Sequence, residues 1–121
     1  MAPHILFVDD EAPIRELLAL SFRKKGWNVT TAITATEAKT LAAQVPFTLA
    51  ILDVNLAGEN GLELLSFFKA NYPNMPVIMF TGLTEKDLMD KAVAKGASGF
   101  MLKTESLNEL YLEVCRHSPK N

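Results

Sequence analysis

The 121-residue chain contains a single cysteine, no block of basic residues and no long apolar run. One cysteine, Cys115, excludes an internal disulfide framework and is typical of a reducing compartment. The chain has no apolar stretch of roughly 20 residues, which a transmembrane helix needs, and it does not open with the basic and apolar segments of a secretory signal peptide. We therefore expect a cytoplasmic protein that has no membrane partner.

The charges of the chain are nearly balanced. It has 12 Lys and Arg residues against 14 Asp and Glu residues, which gives a formal net charge of −2. Without a basic patch there is no reason to expect direct binding to nucleic acid. Hydrophobic residues make up 49% of the chain, as is ordinary for a folded domain. The length predicts one domain, at residues 1–121.

Short apolar segments alternate with amphipathic segments about five times. This alternation is typical of an α/β fold with a parallel sheet and helices on both faces. The predicted strands are residues 5–8, 28–32, 48–52, 77–80 and 99–102. The second segment contains Thr30 and Thr31 where the others are almost entirely apolar, so we expect it at an edge of the sheet.

Local signals predict where the helices lie. Pro13 and Gly26 mark the start and the end of the first helix, and the third should run from about Gly61 to a point before Pro73. The predicted buried stripe of the first helix consists of Ile14, Leu17, Leu18 and Phe22. In the last helix, Cys115 lies near the apolar stripe, so we expect it in the core or at its boundary rather than in a redox site.

Capping boxes predict the starts of two more helices. Thr34 with Glu37 precedes the second helix, and Ser106 with Glu109 precedes the fifth. Residues 84–87 form a weaker version before the fourth helix.

Acidic or polar residues directly follow four of the predicted strands. They are Asp9, Asp10 and Glu11 after the first, Asp53 after the third, Thr81 after the fourth and Lys103 after the fifth. Because the carboxyl ends of parallel strands lie at one edge of a sheet, these side chains should meet in one pocket. Crowded carboxylates need a counter-charge to stay ionised, and a hard divalent cation with oxygen ligands, Mg²⁺, would supply it.

This combination of strand ends resembles the receiver domain of two-component response regulators, over essentially the whole chain. The resemblance implies a flavodoxin-like, doubly wound, five-stranded parallel sheet with strand order 2-1-3-4-5 and helices on both faces. It also implies that Asp9, Asp10, Asp53 and the backbone carbonyl of Asn55 bind Mg²⁺. Among the acidic pair, the resemblance favours Asp10 for direct ligation and Asp9 for a contact through water.

The resemblance assigns the remaining roles as well. Asp53 would accept a phosphoryl group, and Lys103 should pair with Asp53 before the transfer. Thr81 and Lys103 would contact the transferred group, and Thr81 with Phe100 would form the conformational switch. The donor would be a sensor histidine kinase or a histidine phosphotransfer protein. The surface that changes on phosphorylation would be the face formed by the fourth helix, the fifth strand and the fifth helix. It would bind a downstream target, a separate output domain or a second copy of the chain. Such a domain is not an enzyme in the usual sense, because it catalyses only its own phosphorylation and dephosphorylation.

Two other functions use similar residues. A Mg²⁺-dependent phosphatase with an Asp nucleophile needs a general acid two residues after that Asp, where this chain has Asn55. A flavodoxin-like cofactor carrier needs a loop rich in Gly, Ser or Thr after the first strand, and Asp9 and Asp10 would repel its phosphate.

Three further residues carry predictions. Thr104 follows the lysine where the family usually has Pro, so we expect a trans peptide bond there. Leu83 should shield the phosphoryl group from water. Leu112 points away from the buried stripe of the last helix, and we expect it to contact a partner.

Overall fold

The computed structural model describes residues 3–56, 58–82 and 86–117. Five strands form one parallel sheet, and we number them in chain order. They are β1 (His4–Val8), β2 (Asn28–Ala32), β3 (Leu49–Leu52), β4 (Val77–Thr81) and β5 (Gly99–Leu102). The spatial order is β2-β1-β3-β4-β5, which confirms both the predicted order and the edge position of the second strand.

Within the described residues, four helices connect successive strands of the sheet, and a fifth follows β5. They are α1 (Ala12–Lys24), α2 (Ala35–Gln44), α3 (Gly61–Asn71), α4 (Lys86–Ala94) and α5 (Leu107–His117). A short antiparallel hairpin, Asn55–Leu56 with Glu59–Asn60, follows β3. The sequence did not predict this hairpin, because two-residue strands are too short to show a period. None of the described helices combines the length and apolar composition needed to cross a lipid bilayer.

The sheet separates two apolar layers, because successive side chains of a strand point to opposite faces. In β1, Ile5 and Phe7 pack on the α1 and α5 side, whereas Leu6 and Val8 pack on the side of α2, α3 and α4. Both faces of the central strands are therefore covered. The carboxyl edge of the sheet remains the place where polar side chains can lie at the surface of this core.

The predicted capping residues begin their helices. Thr34 Oγ1 accepts a hydrogen bond from the N–H of Glu37, and Ser106 Oγ accepts one from the N–H of Glu109. The return bond of the first box comes from the N–H of Ile33, one residue earlier than in the usual motif. Residues 84 and 85 of the weaker box lie outside the described residues.

Two predicted core positions are wrong. Leu17 is 54% exposed, and the buried residues of α1 are Leu18, Ala19 and Phe22. The buried stripe of α1 therefore includes Ala19 in place of Leu17. Cys115 is also exposed. The buried stripe of α5 runs through positions 110 and 114, and the next residue lies about 100° further round the helix.

Gly61 permits a close approach between the start of α3 and the end of β3. Its N–H donates to the carbonyl of Val54 over 2.6 Å. A Cβ atom at this position would lie 1.9 Å from the carbonyl oxygen of Asp53. Any side chain here must displace the backbone of Asp53, which is itself a predicted site residue.

Replacing Gly61 with Ala tests this packing. We expect Gly61→Ala to lower the free energy of unfolding by about 1–3 kcal/mol, the usual cost of overpacking. Gly82→Ala is the matched control, because a Cβ there would meet nothing within 4 Å. Urea unfolding of both variants measures the difference. Equal stability of the two variants would show that the backbone at Asp53 adjusts without cost.

Candidate functional site

The polar strand ends meet in one cleft, as the sequence predicts. The cleft has a volume of about 250 Å³ and is lined by Asp10, Glu11, Asp53, Asn55, Thr81, Gly82 and Lys103. These residues come from the carboxyl ends of β1, β3, β4 and β5. The side chain of Asp9 is fully buried beside the cleft rather than lining it.

The ammonium group of Lys103 is surrounded by three carboxylates. Its Nζ atom lies 2.8 Å from Asp53 Oδ2, 2.8 Å from Asp9 Oδ2 and 2.5 Å from Glu11 Oε1. The side chain is only 9% exposed. The predicted contact with Asp53 is confirmed. The contact with Glu11 was not predicted, although a third acid directly after the first strand was a signal for it.

These carboxylates decide the charge state of Lys103. Burial by itself would lower the pKa of Lys103, because it disfavours the ammonium form. Hydrogen bonds and ion pairs with Asp53, Asp9 and Glu11 outweigh burial, so the pKa is raised above its ordinary value. Lys103 is therefore a permanent cation in the cleft.

Asp9 is a buried carboxylate whose charge is only partly compensated. Its Oδ1 atom accepts a hydrogen bond from the N–H of Glu11 over 2.9 Å. Its Oδ2 atom is close to Lys103, but within the part of the chain that the structure describes it accepts no well-aligned hydrogen bond. Burial raises the pKa of Asp9, although Lys103 and the N–H of Glu11 act in the opposite direction. A further positive charge would therefore be favourable beside this oxygen.

The donor set suits a hard divalent cation. Asp9, Asp10 and Asp53 each offer a carboxylate oxygen, and these oxygens lie within 4.8 Å of one another. Oxygen donors grouped this closely fit Mg²⁺, and one of them, the buried Asp9 Oδ2 atom, accepts no well-aligned hydrogen bond from the described residues. Asn55 lines the same cleft, and its N–H lies 3.4 Å from Asp53 Oδ1.

The two predicted switch residues lie at different depths. Thr81 is fully buried at the end of β4, and its carbonyl accepts a hydrogen bond from the N–H of Lys103 over 2.8 Å. Phe100 is partly buried and packs against the core on the side of α2, α3 and α4, so it does not line the cleft.

The Lys103–Thr104 bond is trans as predicted, since no described peptide bond is cis. Leu83 lies outside the described residues.

A larger groove lies elsewhere on the molecule. It has a volume of about 740 Å³ and is lined by residues 42–48 and 72–75, near the amino ends of β3 and β4. Its lining is mainly apolar and includes none of the predicted site residues. The smaller, acidic cleft is the better candidate site, because it holds the ionisable groups that chemistry requires.

Comparison with known proteins identifies similar domains. Residues 5–114 match the family model described as the response regulator receiver domain. The response regulator protein PilR of Pseudomonas aeruginosa is 34% identical over 105 residues, which cover 87% of this chain and 24% of that protein. This chain spans about a quarter of the length of PilR and of other curated relatives that it matches.

Two solved structures are similar over nearly their whole length. A CheY-like response regulator receiver domain protein from Methanospirillum hungatei superposes with a TM-score of 0.91 at 27% identity, covering 96% of this chain and 93% of that one. The beryllofluoride-activated NtrC4 receiver domain dimer has a TM-score of 0.89 at 31% identity, with 95% of each chain covered.

Replacing Lys103 tests its electrostatic role in the apo protein. We expect Lys103→Met to lower the free energy of unfolding at pH 7 by about 2–4 kcal/mol, because it leaves buried carboxylates without their cation. The loss should be smaller at pH 5. Without the ammonium, the pKa of Asp9 should rise further above its ordinary value. A carboxyl group whose pKa is raised by folding destabilises the folded state when it is ionised, and this cost decreases as the pH falls toward the raised pKa.

Urea unfolding at the two pH values measures this effect. Lys95→Met, at an exposed lysine after α4, is the matched control and should change stability little at either pH. An equal loss for Lys103→Met at pH 7 and pH 5 would contradict the electrostatic account.

Proposed function

The chain belongs to the response regulator receiver domain family, and on that premise we propose that Asp53 accepts a phosphoryl group with Mg²⁺ and so switches a partner-binding face. The donor is a sensor histidine kinase or a histidine phosphotransfer protein. The observation that carries the proposal is the position of Asp53 Oδ2, 2.8 Å from the Lys103 ammonium inside an acidic cleft.

Asp53 acts as the nucleophile in the proposed reaction. One of its carboxylate oxygens forms a bond to the phosphorus atom while the bond from phosphorus to the donor imidazole nitrogen breaks, and the imidazole leaves. The product is an aspartyl phosphate. Lys103 keeps a positive charge beside the reacting carboxylate and then pairs with an oxygen of the transferred group.

Asp9, Asp10, Asp53 and the backbone carbonyl of Asn55 would hold Mg²⁺ in this reaction. Bound there, the ion would neutralise charge on the transferring group and orient it. Asp9 would contribute from a buried position, where its Oδ2 atom accepts no well-aligned hydrogen bond among the described residues. Asn55 supplies an amide where a phosphatase of the Asp-nucleophile class needs a general acid, so the residues support phosphoryl transfer to Asp53 rather than continuous turnover.

Thr81 and Phe100 would transmit the change in charge. The Thr81 hydroxyl can donate a hydrogen bond to the phosphoryl group, which draws the end of β4 toward Asp53. Phe100 lies in the neighbouring strand, where the cross-strand partners are Thr81 with Leu102 and Met79 with Phe100. A shift of β4 would therefore alter the packing of Phe100 and the face formed by α4, β5 and α5.

Replacing Asp53 tests the acceptor assignment. We expect Asp53→Asn to abolish phosphorylation of the chain by a small acyl phosphate with Mg²⁺, because an amide is not a nucleophile toward phosphorus. Mass spectrometry should detect one phosphoryl group per chain in the parent protein. Asp90→Asn, at an exposed position of α4, is the control and should be labelled normally. Full labelling of Asp53→Asn would move the acceptor to another residue.

The proposed partner face carries exposed apolar side chains. Met89 and Val93 on α4 are 47% and 62% exposed, and Leu112 on α5 is 47% exposed. The exposure of Leu112 agrees with its predicted direction. The activated NtrC4 receiver domain, 31% identical to this chain, is described as a dimer. We therefore propose that this face binds a second copy of the chain, a downstream protein or an output domain.

Replacing Leu112 tests the partner face. Leu112→Ser should weaken self-association of the beryllofluoride-treated protein about tenfold or more, which corresponds to the loss of about 1.4 kcal/mol of contact energy. Sedimentation velocity measures the association. Leu20→Ser, which removes a 53% exposed leucine from α1, is the matched control. If Leu112→Ser associates as strongly as the control and binds partners equally well, Leu112 is an ordinary exposed leucine.

A further inference from the structure

Arg15 lies in the first turn of α1 and contacts the segment that carries the acidic pair. Its Nη1 atom donates a hydrogen bond to the backbone carbonyl of Asp9 over 3.0 Å. Its backbone N–H donates to the carbonyl of Glu11, also over 3.0 Å, which is the ordinary i to i−4 bond of the first helical turn. The side-chain bond is therefore the contact specific to Arg15, and it joins α1 to the residue immediately before Asp10.

The side chain at the N-cap of α1 does not hold this segment in place. Glu11 occupies the N-cap position of α1, but its side chain makes no capping hydrogen bond, and the first turn contains no acidic residue. The carboxylate of Glu11 is directed to Lys103 instead. The segment is held at other points by Asp9, whose N–H donates to Ala32 and whose Oδ1 atom accepts from Glu11.

From these contacts we propose that Arg15 is a positioning residue, which holds the Asp9–Asp10–Glu11 turn in the conformation that binds a divalent cation. The inference rests on the proposed function, because that function requires the cation. Arg15 acts through the backbone: the bond to the Asp9 carbonyl fixes the peptide that joins the two acids. Once this peptide is fixed, the direction of both carboxylates is limited before the ion arrives.

The charge of Arg15 and its positioning role predict opposite effects on the binding of Mg²⁺. A guanidinium near the acidic turn repels a divalent cation, so if Arg15 acted only through its charge, removing it would strengthen binding. If Arg15 holds the turn, removing it weakens binding because the carboxylates must be ordered when the ion binds. The sign of the change therefore separates the two roles.

Arg23 is a matched control on the same helix. Its Nη2 atom donates to the carbonyl of Val29 over 2.8 Å, so it also joins α1 to a backbone carbonyl. It lies near the other end of α1, away from the acidic turn. Arg23→Ala removes an equal charge and a similar bond without touching the proposed site.

The test compares Mg²⁺ affinity in the parent chain, Arg15→Ala, Arg15→Lys and Arg23→Ala. Titration with MgCl₂ at constant ionic strength, followed by amide chemical shifts, gives each dissociation constant. We expect Arg15→Ala to bind about tenfold more weakly, the lower end of the effect of residues that orient metal ligands. Arg15→Lys should recover part of the loss, and Arg23→Ala should stay within about twofold of the parent.

A second measurement needs no metal. The N–H of Glu11 is bonded to Asp9 Oδ1, so its hydrogen exchange reports on the order of the turn. It should exchange faster in Arg15→Ala and unchanged in Arg23→Ala. Unchanged or tighter Mg²⁺ binding by Arg15→Ala, or equal weakening in both alanine variants, would overturn the proposal. A parent chain that bound no Mg²⁺ would refute the metal site itself, and unchanged exchange at Glu11 would then refute the positioning role separately.

Discussion

The ammonium group of Lys103 is the interaction on which the candidate site depends. It joins the end of β5 to the ends of β1 and β3 through contacts with residues that are 50 and 92 positions away in the chain. Burial of Asp9 and Asp53 carries a large desolvation cost, and a paired cation offsets part of it. The carboxyl edge of the sheet can therefore hold concentrated negative charge without unfolding.

This arrangement leaves the cleft with more acid than base. Asp9, Glu11 and Asp53 surround one lysine, and Asp10 lines the same cleft. One buried oxygen of Asp9 lacks a well-aligned hydrogen bond among the described residues. In the proposed reaction the phosphoryl group on Asp53 adds negative charge to this cleft, so the ammonium of Lys103 must shift toward it. Because Lys103 contacts acids from two other strands, such a shift changes the forces on several strand ends at once.

The backbone around the site is as closely constrained as its charges. Gly61 leaves no space for a side chain against the carbonyl of Asp53, and the hairpin that follows β3 brings α3 to that position. The apolar alternation of the strands predicted the sheet, but it did not predict this hairpin. The helical stripes misplaced Leu17 and Cys115, because helical spacing alone does not specify which side of each helix meets the sheet.

The amino-acid sequence by itself determined the α/β fold, the strand segments and the residues that reach the carboxyl edge, because hydrophobic periodicity and strand ends are local properties of a chain. Only the tertiary structure decided which groups make contact there. The pairing of Glu11 with Lys103, the burial of Asp9 and the bond from Arg15 to the acidic turn depend on distances between separate elements. Such distances follow from how helices and strands pack, which no local pattern specifies.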